Sequence, residues 1–206
     1  MKLGVFGGTF DPPHLGHLIL AETARDQFQL DRVLWVIAGQ SPLKQDRPLT
    51  PVESRAALVA AAITDNPAFV LSRVDLDRPA PHYTVDTLTR LGREFPAAEL
   101  YFLMGEDSLR DLPHWKNPVE LIRLAWLVVS KRPGAEMEWG ELEKSVPGVS
   151  KRVHWLTAPQ LEIASSDIQQ RVRAGRAVRY MLPEAVIEIV RREGLYRENG
   201  QVTFET

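Results

Sequence analysis

The chain has 206 residues, and its 25 lysines and arginines nearly balance 27 aspartates and glutamates, so that a net charge of −2 argues against a nucleic-acid partner. It contains no cysteine, which excludes a disulfide framework and thiolate catalysis. No apolar run reaches the roughly 20 residues of a membrane span, and the first residues lead into a short strand instead of a signal region. We expect a single cytoplasmic domain, residues 1–206, without a membrane partner, and the sequence leaves open whether it forms a homo-oligomer.

Six short apolar runs predict strands along the chain. They are residues 3–6, 33–37, 69–71, 100–104, 126–129 and 153–156. Between most of them, apolar residues recur at helical spacing, as in residues 18–28, 57–62 and 85–91. Strands that alternate with helices are typical of α/β proteins. The pattern therefore predicts a doubly wound parallel sheet with helices on both faces.

The last third of the chain changes character. Helices are predicted near residues 166–174 and 183–192, and each is followed by a glycine, Gly175 or Gly194, that suits the end of a helix. We expect a small C-terminal helical segment, about residues 163–196, on the doubly wound sheet. Residues 133–148 are predicted to form an exposed excursion.

Three unusual segments follow predicted strands. Residues 7–17 follow the first strand, residues 39–47 the second, and residues 105–115 the fourth. In an open parallel sheet, ligands bind beyond the carboxyl ends of the strands, near the point where the strand order reverses. These three segments are therefore the predicted ligand site.

The first of these segments reads GGTFDPPHLGH. Its glycines allow a sharp turn that exposes backbone amides, and its prolines stiffen the approach to a helix that begins near His14. A helix start offers free amides and a positive dipole end to an anion. His14 and His17 are three residues apart and share one face, and Gly16 leaves room for a phosphate. The segment predicts a polyphosphate site.

Other kinds of ligand site require residues that this segment lacks. A redox dinucleotide site would require GxGxxG with an acidic residue after the second strand, and a Walker loop would require Gly-Lys-Ser/Thr, and both are absent. Paired histidines also bind zinc, but His82, His114 and His154 supply no matching third ligand, so no metal site is predicted. Histidines that only cap the helix remain a further alternative.

The segment resembles the (H/T)xGH signature of the nucleotidyltransferase superfamily. The resemblance extends along nearly the whole chain to one family, bacterial nicotinate-nucleotide adenylyltransferase. Its landmarks occur in order: GGTFDPPHLGHL from Gly7, the Pro-x-Lys that ends at Lys44, YTVDTL from Tyr83, MGEDSL from Met104, Trp115, SKRPG from Ser130, and IASSDIQQRVRAGRAVRYMLPEAV from Ile163. The first motif indicates only the superfamily, whereas the full set of motifs in this order is specific for the nicotinate-nucleotide adenylyltransferase family.

The resemblance implies a Rossmann-like nucleotidyltransferase fold and a reaction. The family joins the phosphate of nicotinate mononucleotide to the α-phosphorus of ATP, with Mg²⁺ on the ATP phosphates, and releases deamido-NAD and pyrophosphate. The resemblance makes His14 and His17 the catalytic residues. The other ATP contacts that it implies are Gly8, Thr9, Phe10, Gly105, Asp107, Ser165 and Ser166. For the mononucleotide it implies Lys44, Thr84 and Trp115.

Three of these residues also have simpler structural interpretations. Asp107 and Thr84 could cap the helices that follow them. Trp115 could be a loop tryptophan that packs against the core. Two other functions also stay open: another adenylyltransferase, such as the pantetheine-phosphate enzyme, and a nucleotide-binding protein without activity.

The C-terminal motif departs from the family. The family reads I-S-S-T-x-I-R, and its arginine contacts the ATP phosphates, whereas this chain has Gln169 at that position. Ser166 and Gln169 form a capping-box pattern, so we expect Gln169 to bond back to the helix start. The missing charge would then come from Arg132, with Arg171 a weaker candidate.

Overall fold

The computed structural model describes residues 1–38, 49–77, 79, 81–131 and 137–197. Within these residues, six strands form one parallel sheet in the order β3-β2-β1-β4-β5-β6. The strands are β1 (Lys2–Gly8), β2 (Arg32–Ile37), β3 (Phe69–Ser72), β4 (Glu99–Gly105), β5 (Ala125–Ser130) and β6 (Val153–Leu156). All six predicted strands are confirmed, with ends that differ by no more than two residues.

Helices connect the strands, and two more follow the last strand. The helices are α1 (Leu15–Phe28), α2 (Val52–Ala62), α3 (Thr84–Glu94), α4 (Glu106–Arg110), α5 (Pro118–Leu124), α6 (Trp139–Ser145), α7 (Ser165–Arg173) and α8 (Glu184–Arg192). Short 3-10 turns span Leu112–His114 and Val149–Arg152. In the described part of the chain, no helix is long and apolar enough to cross a membrane.

The core lies on both faces of the sheet. Along β1, Val5 packs into the core on one face and Phe6 into the core on the other. Helices α3, α5 and α6 cover the first face, and α1 and α2 cover the second. Strands that are buried on both faces carry continuous apolar runs, which is why they were visible in the sequence.

The strand order reverses next to β1. The chain runs outward from β1 to β2 and β3, then returns to β4 on the other side of β1. The loops that leave β1 and β4 therefore diverge above the same edge of the sheet, and they bound a crevice between them. The segments after β1 and β4 that were predicted to bind a ligand flank this crevice.

The C-terminal segment packs on α2. Leu58 of α2 is fully buried with Ile168 and Val172 of α7 and with Ile187 and Val190 of α8. The segment therefore shares a hydrophobic cluster with a helix of the sheet layer. Its two helices begin and end within one residue of the predicted positions. Gly175 and Gly194 have the positive φ angles, 65° and 62°, expected after a helix.

The predicted exposed excursion at residues 133–148 is confirmed only in part where the structure describes it, because half of its described residues are exposed but the segment contains a helix with buried residues. Residues Trp139–Ser145 form α6, and Leu142 and Val146 are buried against the sheet. Their spacing of four places them on one helix face, which the polar residues between them obscured in the sequence.

Candidate active site

The loop after β1 is held by a tight aromatic contact. Phe10 adopts a left-handed backbone conformation with φ 49°, and its ring is buried between Phe6 and Trp35. A Cβ atom at Gly8 would lie 2.7 Å from the Phe10 ring, so only glycine fits there. Close packing therefore accounts for one of the glycines in the first motif.

His14 and His17 form a stacked pair at the start of α1. His14 is the residue before the helix, and its ring lies 3.7 Å from that of His17, centroid to centroid. The backbone N–H of His14 donates to Nδ1 of His17 at 3.2 Å. A Cβ atom at Gly16 would lie 3.1 Å from the His14 ring. Gly16 therefore leaves the His14 ring room to stack.

Burial keeps both imidazoles neutral. It lowers the pKa of His14 to about 4. Burial, and secondarily the nearby His14, lowers the pKa of His17 well below its usual value. Because Nδ1 of His17 accepts a hydrogen bond, the proton of its neutral ring lies on Nε2. The two histidines have the reciprocal arrangement of a capping box at the start of α1, which supports the helix-capping alternative. Nδ1 of His14 is buried, and it makes no hydrogen bond of standard geometry with the described residues.

The start of α1 is less open than the sequence suggested. The backbone N–H of Leu15, the first residue of the helix, donates to the carbonyl of Met181 at 2.9 Å. The prediction that the first amides of α1 are free for an anion is therefore wrong for Leu15. The physical reason is a contact with the C-terminal segment, which a local pattern does not show.

Gly105 and Asp107 lie at the carboxyl end of β4. Gly105 is the residue before α4, and its position has open space where a side chain would begin. Because Gly105 holds the N-cap position of α4, the alternative that Asp107 is the N-cap residue is wrong. Asp107 is exposed in the first turn of the helix. The neighbouring Glu106 is buried and binds Arg110 at 2.8 Å.

Thr84 and Trp115 lie on two segments that the structure ties together. Thr84 is the first residue of α3, and Tyr83 takes the capping position instead. Trp115 is half-buried and packs edge-on against Phe102 with centroids 6.1 Å apart. Lys116 binds Asp86 of α3 at 3.0 Å and lies 4.4 Å above the Tyr83 ring. The tryptophan loop is therefore attached to the start of α3.

Helix α7 contacts the loop after β1 directly. The Ser165 hydroxyl donates to the carbonyl of Pro12 at 2.8 Å, and the Gln169 side-chain amide donates to the carbonyl of Asp11 at 2.7 Å. The predicted capping box of Ser166 and Gln169 is wrong. The helix begins one residue earlier, after Ala164, and Gln169 uses its amide on the loop instead of on its own helix.

Sequence and structure comparisons identify the family. The cytidylyltransferase-like family model matches residues 5–171. A "probable nicotinate-nucleotide adenylyltransferase" of Thermomicrobium roseum is 50% identical over 196 residues, which cover 95% of this chain and 92% of that protein. A Thermus thermophilus protein of the same name is 43% identical over 96% of this chain and 100% of its own length. This chain belongs to the nicotinate-nucleotide adenylyltransferase family.

Solved structures support the fold of this nucleotidyltransferase. Two structures of Plasmodium falciparum nicotinic acid mononucleotide adenylyltransferase, one complexed with APC and one with NaAD, align with TM-scores of 0.73 and 0.75. Each alignment covers 95% of this chain and at least 96% of the other, with 17% and 18% sequence identity. At this identity the likeness shows the shared Rossmann-like α/β fold.

Two buried polar residues of this adenylyltransferase family member, Arg55 and Asp11, and one partly buried residue, Tyr196, were missed in the sequence. Arg55 of α2 donates to the carbonyls of Thr9, Ala38 and Thr50 at 2.7, 2.8 and 3.0 Å. The other two are Asp11 and Tyr196, which contact each other. An arginine among the apolar residues of α2 was the available signal, because a buried arginine requires partners.

Two predicted residues lie outside the described part of the chain. They are Lys44 and Arg132. Over the described ranges, no group of three histidine, aspartate or glutamate side chains could hold a metal ion.

Proposed function

We propose that this nucleotidyltransferase transfers the adenylyl group of ATP to nicotinate mononucleotide, giving deamido-NAD and pyrophosphate in NAD biosynthesis. The observation that carries the proposal is the stacked His14–His17 pair above the crevice of the sheet. One imidazole nitrogen of this pair is buried and makes no hydrogen bond of standard geometry with the described residues. Such a nitrogen is costly to bury unless a ligand binds it.

The chemistry requires no general base. A phosphate monoester has a second pKa of about 6, so the mononucleotide phosphate is an ionised nucleophile at neutral pH. One of its oxygens forms a bond to the α-phosphorus of ATP. The bond from that phosphorus to the bridging oxygen breaks, and its electrons leave with the pyrophosphate. Positioning and charge stabilisation then account for the rate.

The histidines stabilise the leaving group in this proposal. His17 donates from Nε2 to the oxygen on which charge develops, and His14 donates to a neighbouring phosphate oxygen. Because both rings are neutral, each donates one hydrogen bond without the desolvation cost of a buried charge. Backbone amides at Gly8, Thr9 and Phe10 hold the α-phosphate.

The nucleotide lies across the crevice from β1 to β4. Gly105 leaves room for the ribose, and the Asp107 carboxylate accepts its hydroxyls. The start of α7 faces the phosphates from the other side, with the backbone amides of Ser165 and Ser166 as donors. Arg132 supplies the positive charge that Gln169 does not.

The mononucleotide binds between α3 and the tryptophan loop. The amide of Thr84 at the start of α3 holds the nicotinate carboxylate, and Trp115 stacks on the pyridine ring. Trp115 packs on Phe102, as the structural alternative also expects, and it stays partly exposed, as a stacking role requires. Lys44 contacts the phosphate of the mononucleotide.

Magnesium enters as part of the substrate. Mg²⁺ is commonly bound by substrate phosphates and water with one or two carboxylates, not by a cage of protein ligands. ATP is also a cytoplasmic metabolite, which supports the expected cytoplasmic location.

A coupled pyrophosphate assay tests the proposal. We expect release when the protein is incubated with Mg-ATP and nicotinate mononucleotide. Release with phosphopantetheine instead would indicate the rival adenylyltransferase. No release with any phosphate acceptor would indicate a nucleotide-binding protein without activity.

A further inference from the structure

Asp11 joins the loop after β1 to two distant parts of the chain. It lies in the loop three residues before His14, and it is 4% exposed. Its Oδ1 accepts a hydrogen bond from the Tyr196 hydroxyl at 2.6 Å, and its Oδ2 accepts one from the Thr50 backbone at 3.1 Å. Asp11 therefore links the loop to the residues before α2 and to the end of the C-terminal segment.

Tyr196 is held in an unusual conformation. Its φ angle is 64°, in the left-handed region that is uncommon for residues other than glycine. Burial, and secondarily Asp11, raises the pKa of Tyr196, so its hydroxyl keeps its proton and remains a donor. Strained backbone that persists in a packed structure is often found where a side chain is held for function.

The same loop has further anchors in the C-terminal segment. Ser165 and Gln169 donate to the carbonyls of Pro12 and Asp11, and Met181 accepts from Leu15. Contacts from this segment therefore occur both before and after His14. Tyr196 supplies the contact to the buried carboxylate, and a charged acceptor makes the stronger kind of hydrogen bond.

We infer that Tyr196 is a positioning residue for adenylyl transfer, because its hydroxyl fixes Asp11 and thereby the loop that carries His14 and His17. This inference rests on the proposed function. Tyr196 acts through the loop and does not touch the substrates. A misplacement of about 1 Å at a reacting group can cost about 100-fold in rate. Loss of this anchor therefore affects the chemical step more than substrate binding.

The kinetic test uses Tyr196→Phe, which keeps the ring and removes the donor. We expect kcat to fall about 10- to 100-fold, while the KM values for ATP and nicotinate mononucleotide change by less than about threefold. Leu195→Ala is the matched control, because Leu195 packs in the same cluster as Tyr196 and its side chain has no hydrogen-bond donor for Asp11. That variant lowers Tm but keeps kcat at a temperature where it is folded. Equal losses of kcat in the two variants overturn the inference.

A second measurement does not depend on activity. The imidazole nitrogen resonances of His14 and His17 report their hydrogen bonds, and His154 on β6 serves as the internal reference. We expect Tyr196→Phe to move the first two and leave His154 in place. Unmoved resonances at His14 and His17 overturn the inference, even if the wild-type protein releases no pyrophosphate and the proposed function fails.

Asp11→Asn alone covers the case in which Tyr196→Phe is poorly folded, and a double-mutant cycle applies where both single variants fold. Asp11→Asn keeps the size of the Asp11 side chain and weakens the same hydrogen bond. Because the two residues act as one unit, the double variant is expected to lose no more kcat than Asp11→Asn alone. Additive losses in the cycle contradict the inference.

Discussion

A neutral imidazole carries one proton, and the hydrogen bond made by one ring nitrogen decides whether the other nitrogen is the donor. In His17, Nδ1 is taken by the backbone N–H of His14, so Nε2 is the donor. The loop therefore sets the direction of the His17 donor before any substrate binds. In the proposed reaction, a donor that is fixed in advance costs no reorganisation when charge develops on the pyrophosphate.

His17→Ala is expected to reduce kcat far more than ATP affinity. Loss of one donor to a developing charge typically costs about 100- to 1000-fold in kcat, and that interaction acts mainly in the transition state. Steady-state kinetics with both substrates measure the effect. His154→Ala, which alters a histidine on β6, is the control and should keep kcat. An unchanged kcat in His17→Ala would remove His17 from the mechanism.

Protonation of His14 should make stability depend on pH in the free protein. Its pKa is about 4 when folded and about 6.5 when unfolded. Above pH 6.5 both states are neutral, and the contribution to stability is complete. As the pH falls from 6.5 toward 4, the unfolded state binds the proton first, and the free energy of unfolding decreases.

The comparison with His14→Gln isolates this contribution. Between pH 7.5 and 5 we expect the wild type to lose about 2 kcal/mol more stability than the variant. Urea unfolding at the two pH values measures the difference. Equal losses of stability in both proteins would show that burial does not lower the pKa of His14.

The tryptophan loop acts together with the start of α3. Trp115→Ala should raise the KM for nicotinate mononucleotide about 5- to 150-fold, the equivalent of about 1 to 3 kcal/mol for one stacking contact. The KM for ATP should change little. Trp126→Ala is the control for removal of an indole, because Trp126 lies near the amino end of β5, away from the carboxyl ends of the strands. Equal losses for both substrates would indicate that Trp115 is only structural.

The departure from the family sequence at Gln169 concerns α7 and Arg132. Arg132→Ala should raise the KM for ATP strongly, because the variant lacks the charge that the family arginine supplies. Gln169→Arg should be neutral or improve that KM, since arginine also keeps N–H donors for the Asp11 carbonyl. Normal ATP kinetics in Arg132→Ala, with activity abolished in Gln169→Ala, would contradict the assignment.

Structural elements that depend on local sequence were predictable, whereas those that depend on tertiary contacts were not. The strands were predictable because burial on both faces leaves continuous apolar runs. The capping box at Ser166 failed because the carbonyl of Asp11, 158 residues away, binds Gln169 instead. The partnership of Asp11 and Tyr196 was not predictable, since no pattern in the chain relates residues so far apart. The family motifs located the histidines, but not the contacts that hold them.

The C-terminal segment connects the site to the rest of the molecule. It packs on α2, and it holds the loop after β1 through Ser165, Gln169 and Tyr196. Stability of this segment is therefore coupled to the geometry of the histidine pair. A shared core with α2 also predicts that the segment and the sheet unfold together as one domain.

Two spectroscopic probes can separate the segment from the sheet. The chain has five tryptophans, and each lies before residue 163, so their fluorescence reports the sheet and its nearby helices. Far-UV circular dichroism also includes α7 and α8. For one cooperative domain, the two urea unfolding curves should coincide. Separate transitions would show that the C-terminal segment is an independent unit.

Ile187→Ala tests the same coupling by mutation. Ile187 of α8 is 1% exposed in the cluster shared with α2. Replacing it removes buried methyl groups and leaves a cavity, which typically costs about 2 to 5 kcal/mol. If the segment and the sheet form one unit, fluorescence and circular dichroism should shift to the same lower urea midpoint. Glu188→Ala, at an exposed position of α8, should leave both midpoints nearly unchanged. A lower urea midpoint in the dichroism curve alone would show that only the C-terminal segment is destabilised, and it would contradict a single cooperative domain.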